Sequence, residues 1–259
     1  SGAFGWDAYD DDNDPMDQEG HGTHVAGTVG ARGDNGFGVT GVAWKVDLMA
    51  LRFIGEDGGA TSDAIRVINY ARENGADIIN ASWGGRGYSQ ALEDAIMACA
   101  LEDIIVVAAA GNEQTNTDEI PHYPSSLPLP NIVSVASTDQ KDKLSDFSNF
   151  GSTTVDLAAP GTAIWSCGAG SDSSYEYRTG TSMAAPHVSG ALALGKALYG
   201  NESSQQLIER LLASTESVSG PGIGRRLNLF NFLNNPAFGT LHDDFANPYL
   251  MEGCQDYWC

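Results

Sequence analysis

The pattern of apolar and polar positions switches repeatedly between short apolar runs and longer segments with helical spacing. The runs "KVDLMALRFI", "ADIINASW", "IIVVAAAG", "NIVSVAST" and "TVDLAAPG" predict strands. The segments "TSDAIRVINYARENG", with Thr61 or Ser62 as its N-cap, "SQALEDAIMACALED" and "LNLFNFLNN" predict helices. Short and almost wholly apolar strands that alternate with helices predict an α/β fold, in which a mostly parallel sheet carries helices on both faces.

Polar and glycine residues follow two of the predicted strands directly, at residues 82–85 and 111–113. In a parallel sheet, the groups that bind or react gather at the carboxyl ends of the strands. We therefore expect the functional residues in these two segments.

Length and composition fit one large domain. The chain has 259 residues, 42% of them hydrophobic, and no apolar run approaches the length that spans a membrane. We expect the domain to cover residues 1–234, and residues 235–259 to form an acidic and aromatic extension. The chain opens at Ser1 without a methionine or a signal peptide, which is typical of a processed or truncated product.

The net charge is −21 and the isoelectric point about 4.2, so the chain lacks the basic surface that nucleic-acid binding needs. Cysteines are few, and no C-x-x-C motif suggests zinc or redox chemistry. Cys254 and Cys259 are close enough in sequence to pair in an oxidising compartment. Cys99 falls on a predicted helix, as a buried free thiol commonly does, and Cys167 falls in a predicted loop.

The segment "RTGTSMAAPHVSGALALGKAL" places Ser182 at the start of an apolar helix. Free backbone N–H groups and the helix dipole favour negative charge there, so an oxyanion formed at Ser182 would be stabilised. Ser182 is therefore a candidate nucleophile, and the alternative is a serine that only caps a buried helix. The G-x-S-x-G pattern of the α/β-hydrolases is absent.

Two further segments carry candidate chemistry. In "GHGTHVAGTVG", His21 has glycine on both sides and is a candidate base in an open cleft. His24 lies three residues later, and the two histidines could instead bind a metal, although no H-E-x-x-H motif or third ligand is evident. In "VVAAAGNE", Asn112 follows a strand and a glycine, where its amide could face a developing oxyanion or simply occupy a turn.

Together, and in this order, the segments "HGTHVAGTVG", "INASWGG", "AAAGNE", "YPSSLPLPNIVSVASTD" and "GTSMAAPHVSGALAL" closely resemble the subtilases, the subtilisin-like serine peptidases. The resemblance extends from about Gly5 to Asn234. It implies a subtilisin-like three-layer fold and a serine endopeptidase.

The resemblance implies that Ser182 is the nucleophile, His21 the general base and Asn112 the oxyanion donor. It also implies a substrate-binding cleft with small walls and a preference for a bulky apolar side chain before the scissile bond. The implied substrate-binding residues are Ser82, Trp83, Gly84, Ala109, Ala110 and Gly111.

One expected element is missing. Subtilases have their triad residues in the order Asp, His, Ser, with the aspartate at the end of a core strand. Before His21, the aspartates, Asp7 among them, fall in the acidic segment "WDAYDDDNDPMDQEG", which predicts a solvated loop. The simplest account is a catalytic domain that is incomplete at its N-terminus and weakly active or inactive without the missing segment.

The same acidic segment has carboxylates at alternating positions, as a calcium-binding loop does. It departs from the EF-hand pattern because Pro15 takes the place of the required glycine. The resemblance makes structural calcium possible, although the metal ligands remain unknown and the chemistry needs no cofactor. A solvated acidic turn is the alternative.

The resemblance also implies polypeptide substrates, a pro-segment of the precursor as partner, and secretion from the cell. A second hypothesis, motivated by the missing aspartate, is a catalytically silent subtilase fold that binds peptides or proteins. A third is a metal-dependent hydrolase that uses His21 and His24.

Overall fold

The computed structural model describes residues 5–218, 220 and 222–235. Its helices are α1 (His21–Gly30), α2 (Thr61–Glu73), α3 (Gln90–Leu101), α4 (Thr181–Leu198), α5 (Ser204–Ala213) and α6 (Leu229–Asn234). The strands before α3 are β1 (Gly5–Asp7), β2 (Ala50–Arg52), β3 (Ile54–Gly55), β4 (Gly58–Gly59) and β5 (Ile78–Ala81). The later strands are β6 (Ile105–Ala109), β7 (Ile132–Thr138), β8 (Leu157–Pro160), β9 (Ile164–Cys167), β10 (Tyr175–Arg178), β11 (Glu216–Ser217) and β12 (Arg225–Arg226).

The central sheet has the strand order β11-β12-β8-β7-β6-β5. Every pair from β12 to β5 is parallel, and β11 is antiparallel to β12. Ala81 at the end of β5 pairs with Ala108 near the end of β6. The segments that follow these two strands therefore leave the sheet side by side, which brings the two predicted functional segments together.

Helices cover both faces of this sheet. On one face, α4 packs against β5 to β8 together with α5 and α6, and its buried residues include Val188 and Leu192. On the other face, α2 and α3 bury Ile68 and Ile96 against the sheet. All residues of β6 and β7 are buried, which explains their almost continuous apolar sequences. The predicted three-layer α/β architecture is confirmed.

Some local predictions are wrong. The run "KVDLMALRFI" forms only the short strand β2 and the first residues of a small hairpin, β3 and β4. The N-cap of α2 is Ala60, without a side-chain hydrogen bond, rather than Thr61 or Ser62. Cys167 ends β9 instead of lying in a loop, because β9 and β10 form an antiparallel hairpin that the sequence did not reveal. Cys99 is a buried free thiol on α3, as predicted.

No helix within the described part of the chain is long and apolar enough to cross a membrane. The predicted extension lies outside the described residues from position 236 onward. The predicted Cys254–Cys259 pair lies outside them as well, so the extension and this disulfide both remain predictions.

Candidate active site

Ser182 lies in the first turn of α4. Gly180 is the N-cap residue and no side chain caps this helix, so the interpretation of Ser182 as a helix cap is wrong. The Ser182 hydroxyl donates a hydrogen bond to the carbonyl oxygen of Ser82 at 3.1 Å, and the Ser82 hydroxyl donates to the carbonyl oxygen of Ser182 at 2.8 Å. These reciprocal bonds hold the turn with Ser182 against the segment that follows β5.

The side chain of Asn112 is held by Thr181. Both the backbone N–H and the hydroxyl of Thr181 donate to Oδ1 of Asn112, at 2.9 and 3.1 Å. The same hydroxyl accepts a hydrogen bond from the N–H of Gly111 at 3.1 Å. Because the Asn112 oxygen is engaged in this way, its amide nitrogen Nδ2 is the end left to face a ligand. Nδ2 forms no hydrogen bond with any other described residue.

A second layer of polar side chains fixes Ser82. The side-chain amide of Asn80 donates to the Ser82 hydroxyl at 2.9 Å. In turn, Ser189 of α4 donates to Oδ1 of Asn80 at 2.8 Å. Asn80 belongs to β5, so this chain of bonds ties the sheet to α4 at Ser182 and at Ser189. Sequence reasoning missed it, although a polar residue in an apolar strand was a usable signal.

The predicted substrate-binding residues fall into three groups. Ser82 and Gly111 contact the turn of Ser182 through the hydrogen bonds described above. Ala109 and Ala110 are buried at the end of β6. Trp83 packs edge-to-face on Phe53, with ring centroids 5.1 Å apart, on the opposite side from Ser82.

Gly84 and Gly111 flank a ring that sequence reasoning did not identify. A side-chain carbon built on Gly84 would collide with Cε1 of His122, and one built on Gly111 would lie 3.0 Å from His122 Cδ2. Gly111 also has a φ of +102°, which favours glycine. His122 is buried, with 7% of its surface exposed. It lies in a proline-rich segment without hydrophobic periodicity, so no sequence pattern predicted that His122 would lie between these glycines.

His21 begins α1, and a carboxylate fixes the backbone around it. Asp17 accepts hydrogen bonds from the N–H groups of Gly20 and Thr23, at 2.9 and 2.7 Å, and from the Thr23 hydroxyl at 2.8 Å. On the other side, Arg178 donates to the carbonyl oxygen of Glu19 at 2.8 Å. Both contacts hold the loop that presents His21.

The imidazole of His21 is half-buried and is not hydrogen-bonded to any described residue. Burial lowers the pKa of His21, and the positive charge of Arg178 lowers this pKa further, whereas Asp17 acts in the opposite direction. The net pKa is below the ordinary value, so the ring is neutral and able to accept a proton at neutral pH. The Ser182 hydroxyl donates its hydrogen bond to the carbonyl oxygen of Ser82 and forms none with His21.

His24 faces the other way. It is completely buried, and its Nε2 lies 3.0 Å from the carbonyl oxygen of Ile164 in β9. Its backbone carbonyl accepts from Ser166 at 2.8 Å, so this residue joins α1 to the β9–β10 hairpin. Across the described residues, no cluster of three or more His, Cys, Asp or Glu side chains is arranged to hold a metal ion. His21 and His24 therefore do not form a metal centre with described carboxylates or thiols.

Asp7 does not lie in a solvated loop, contrary to the sequence prediction. It ends β1, which is parallel to β2, and it is completely buried. Its carboxylate accepts from the N–H groups of Tyr9 and Asp10 and pairs with Arg52 at 2.5 Å. Burial opposes ionisation of Asp7, but these bonds prevail and its pKa is lowered. None of these bonds involves His21, so Asp7 does not orient the imidazole.

The rest of the acidic segment is partly neutralised. Asp10 pairs with Arg52 and Asp11 pairs with Arg66. Oxygens of this segment thus bond to arginines of β2 and α2. Structural calcium stays a prediction, with no ligands assigned.

Comparison with known proteins identifies the family of this chain. The model of the subtilase family matches residues 3–235, and the chain belongs to the subtilase family. The chain is 39% identical to thermitase of Thermoactinomyces vulgaris over 220 residues, which are 84% of this chain and 75% of thermitase. It is 38% identical over 232 residues to a thermophilic serine proteinase of Bacillus sp. (strain AK1), covering 89% of this chain but 55% of that relative.

Solved structures lead to the same family. A cold-adapted subtilisin-like serine proteinase superposes with a TM-score of 0.75 and 34% identity, over 86% of this chain and 79% of that chain. A further relative, the major intracellular serine protease of Bacillus subtilis, is 42% identical over 195 residues, covering 73% of this chain and 59% of the relative. The relatives are serine peptidases, and the fold predicted from the resemblance is confirmed.

Proposed function

We propose that this chain is the catalytic domain of a secreted serine endopeptidase, with the domain covering residues 1–234. Ser182 attacks the carbonyl carbon of a peptide bond while its proton passes to His21. The carbon–nitrogen bond then breaks, the leaving amine takes the proton from His21, and the acyl group remains on Ser182. Water, deprotonated by His21, hydrolyses this ester and restores the serine.

The observation that carries the proposal is the fixed orientation of Asn112. Thr181 holds the carboxamide oxygen from two sides, and Thr181 directly precedes the nucleophile. The amide nitrogen of Asn112 and the backbone N–H of Ser182 can then donate to the same oxyanion. Such a pair of donors beside a serine can stabilise the negative charge that develops on the carbonyl oxygen of the substrate.

The orienting carboxylate of the triad is a further part of the proposal. His21 has no carboxylate partner among the described residues, and Asp7 is committed to Arg52. We propose that an aspartate placed upstream of His21 in the family's chain order, and not one of those in residues 5–20, completes the triad. Loss of that aspartate alone lowers turnover about 10⁴-fold in serine proteases of known mechanism, so activity depends strongly on it.

Polypeptides are the proposed substrates, and a pro-segment of the same precursor is a proposed partner. Secretion is proposed from the resemblance alone. One relative is named as an intracellular protease, so membership of the family does not by itself imply secretion. A calcium ion, if bound, would have a structural role only.

Fluorophosphonate labelling tests the catalytic assignment. The 259-residue chain and a form extended upstream would be compared, each with a Ser182→Ala control and with folding checked by circular dichroism. We expect labelling at Ser182, faster in the extended form, and none in the Ser182→Ala variants. Absence of labelling in both folded forms would overturn the assignment.

A non-catalytic role in binding peptides is the second candidate, and the unpartnered imidazole of His21 favours it. It predicts that peptides bind to both forms and that neither form labels or cleaves. The same two proteins therefore separate the two functions.

A further inference from the structure

The family resemblance implies a substrate-binding cleft between two segments that meet at the turn with Ser182. The segment after β5 is bonded to Ser182 through Ser82, and the segment after β6 is bonded to Thr181 through Gly111. Each segment contains a glycine, Gly84 or Gly111, at which the backbone carries no side chain. Such a cleft would accept a side chain of the substrate next to the bond that is cut.

The imidazole of His122 occupies the space between these two glycines. Its Cε1 lies against Gly84 and its Cδ2 against Gly111, so the ring bridges the two walls. Since His122 is only 7% exposed, its ring is buried between the two glycines and does not lie at the rim.

Several bonds hold His122 in this place. Its N–H donates to the hydroxyl of Ser126 at 3.1 Å, and its carbonyl oxygen accepts from the hydroxyl of Ser125 at 2.8 Å. The next residue, Tyr123, exchanges two backbone hydrogen bonds with Gly85, at 2.7 and 2.8 Å. The loop that carries the ring is thus fastened to the wall that contains Gly84.

The surroundings of the ring are polar. The Glu113 carboxylate lies beside Gly111 and accepts from the side-chain amide of Asn149 at 2.7 Å. Burial lowers the pKa of His122, Glu113 raises this pKa, and Arg86 lowers it, with a net decrease. The end of the cleft is therefore a neutral imidazole next to a carboxylate, which does not favour a large apolar group.

We propose that His122 is a specificity-determining residue that closes this cleft, so that the enzyme selects substrates with a small side chain, such as alanine, immediately before the scissile bond. The proposal replaces the bulky apolar side chain that the family resemblance implies. It rests on the proposed function, because it assigns the substrate of the same site.

Two peptidyl phosphonates that differ only in that residue, alanine or phenylalanine, provide the test. We expect the alanine reagent to label Ser182 about tenfold faster or more, the scale on which pockets discriminate by size. His122→Gly opens the cleft, so we expect the preference to reverse. His122→Phe keeps the cleft filled, so it should retain the preference for alanine.

Faster labelling of the wild type by the phenylalanine reagent, or an unchanged ratio in His122→Gly, would overturn the proposal. A small fluorophosphonate without a peptide shows separately whether Ser182 reacts at all. If it does not react, the proposed function fails, and the specificity is read from binding instead. The Ser182→Ala protein would then be titrated with the matching peptide amides, and equal affinities for alanine and phenylalanine would contradict the closed cleft.

Discussion

The two halves of the candidate site are held in different ways. On the serine side, the functional groups themselves are bonded: the Ser182 hydroxyl to Ser82, and the Asn112 oxygen to Thr181. On the histidine side, only the backbone is fastened, by Asp17 and Arg178, while the His21 ring has no hydrogen bond to a described residue.

The difference follows from where each half sits in the fold. Ser182 and Asn112 adjoin α4 and the central strands, which are almost completely buried. His21 begins α1, and the N-cap residue Gly20 lies beside the side chains of Arg178 and Glu176 in the β9–β10 hairpin. Ser182 and Asn112 are therefore held by the core, whereas His21, in the proposed role of base, still needs a partner to orient its ring.

Asn112→Leu tests the serine side most severely. The substitution removes one oxyanion donor and keeps a similar volume, so we expect kcat to fall about 10²–10³-fold, with KM nearly unchanged. The rate of peptide hydrolysis by the extended form measures this. An equal loss in KM would show that Asn112 binds the ground state, and no loss would remove it from the oxyanion site.

Thr181→Val tests how Asn112 is held. The valine leaves the N–H of Gly111 buried without its acceptor, so we expect a loss of about 1–3 kcal/mol in the free energy of unfolding. A Thr181→Ser variant keeps the hydroxyl and serves as the matched control. Urea denaturation measures both variants, and equal stability of valine and serine would contradict the bridging role.

Sequence reasoning located the serine side better than the histidine side, and the reasons are physical. Asn112 follows the end of an apolar run and Ser182 precedes the start of one, and these positions can be read from local spacing. Thr181 was not singled out because its partner Asn112 lies 69 residues away in the chain. Contacts between residues so far apart in sequence depend on the packing of α4 on the sheet, which no local sequence pattern encodes.

Asp7 shows the opposite failure. Strand β1 has only three residues, and its sequence leads into a run of aspartates, so its composition indicated a loop. Pairing with β2, more than forty positions later, turned these residues into a strand and buried the carboxylate. The sequence analysis did not predict the β9–β10 hairpin, although aromatic and polar residues alternate in β10. The segment that connects the two strands, residues 168–174, is long and polar and therefore reads as a loop.

Asp17→Ala tests the fastening on the histidine side. The carboxylate satisfies free N–H groups at the start of α1, so we expect a loss of about 1–2 kcal/mol in the free energy of unfolding. Hydrogen bonds lower the pKa of Asp17 against the effect of burial, so this stability is present above the ordinary aspartate pKa and is lost as pH falls through the lowered one.

Asp14 offers the matched control for Asp17, since it is an exposed aspartate of the same segment. Thermal and urea unfolding at neutral pH should place Asp14→Ala within about 0.5 kcal/mol of the wild type. If the two variants lose the same stability, the effect comes from the charge of the segment and not from the hydrogen bonds at the helix start.

Arg178→Gln gives the smallest and most specific effect. Its guanidinium opposes protonation of His21, so its removal raises the pKa of His21 toward the ordinary value. The other charged or titratable groups near this ring, Asp17, Glu19 and His24, stay in place. Because the base must be neutral to accept the serine proton, the acid limb of the rate profile should move to higher pH.

Arg178→Lys separates the charge of Arg178 from its hydrogen bond to Glu19. The lysine keeps the positive charge but not the geometry of the bond to the Glu19 carbonyl, so we expect the pKa of His21 to remain close to that of the wild type. NMR titration of the His21 ring in the Ser182→Ala background measures this pKa without any need for activity. A pKa that rises equally in the lysine and glutamine variants would show that Arg178 acts on His21 by positioning its loop, and not through its charge.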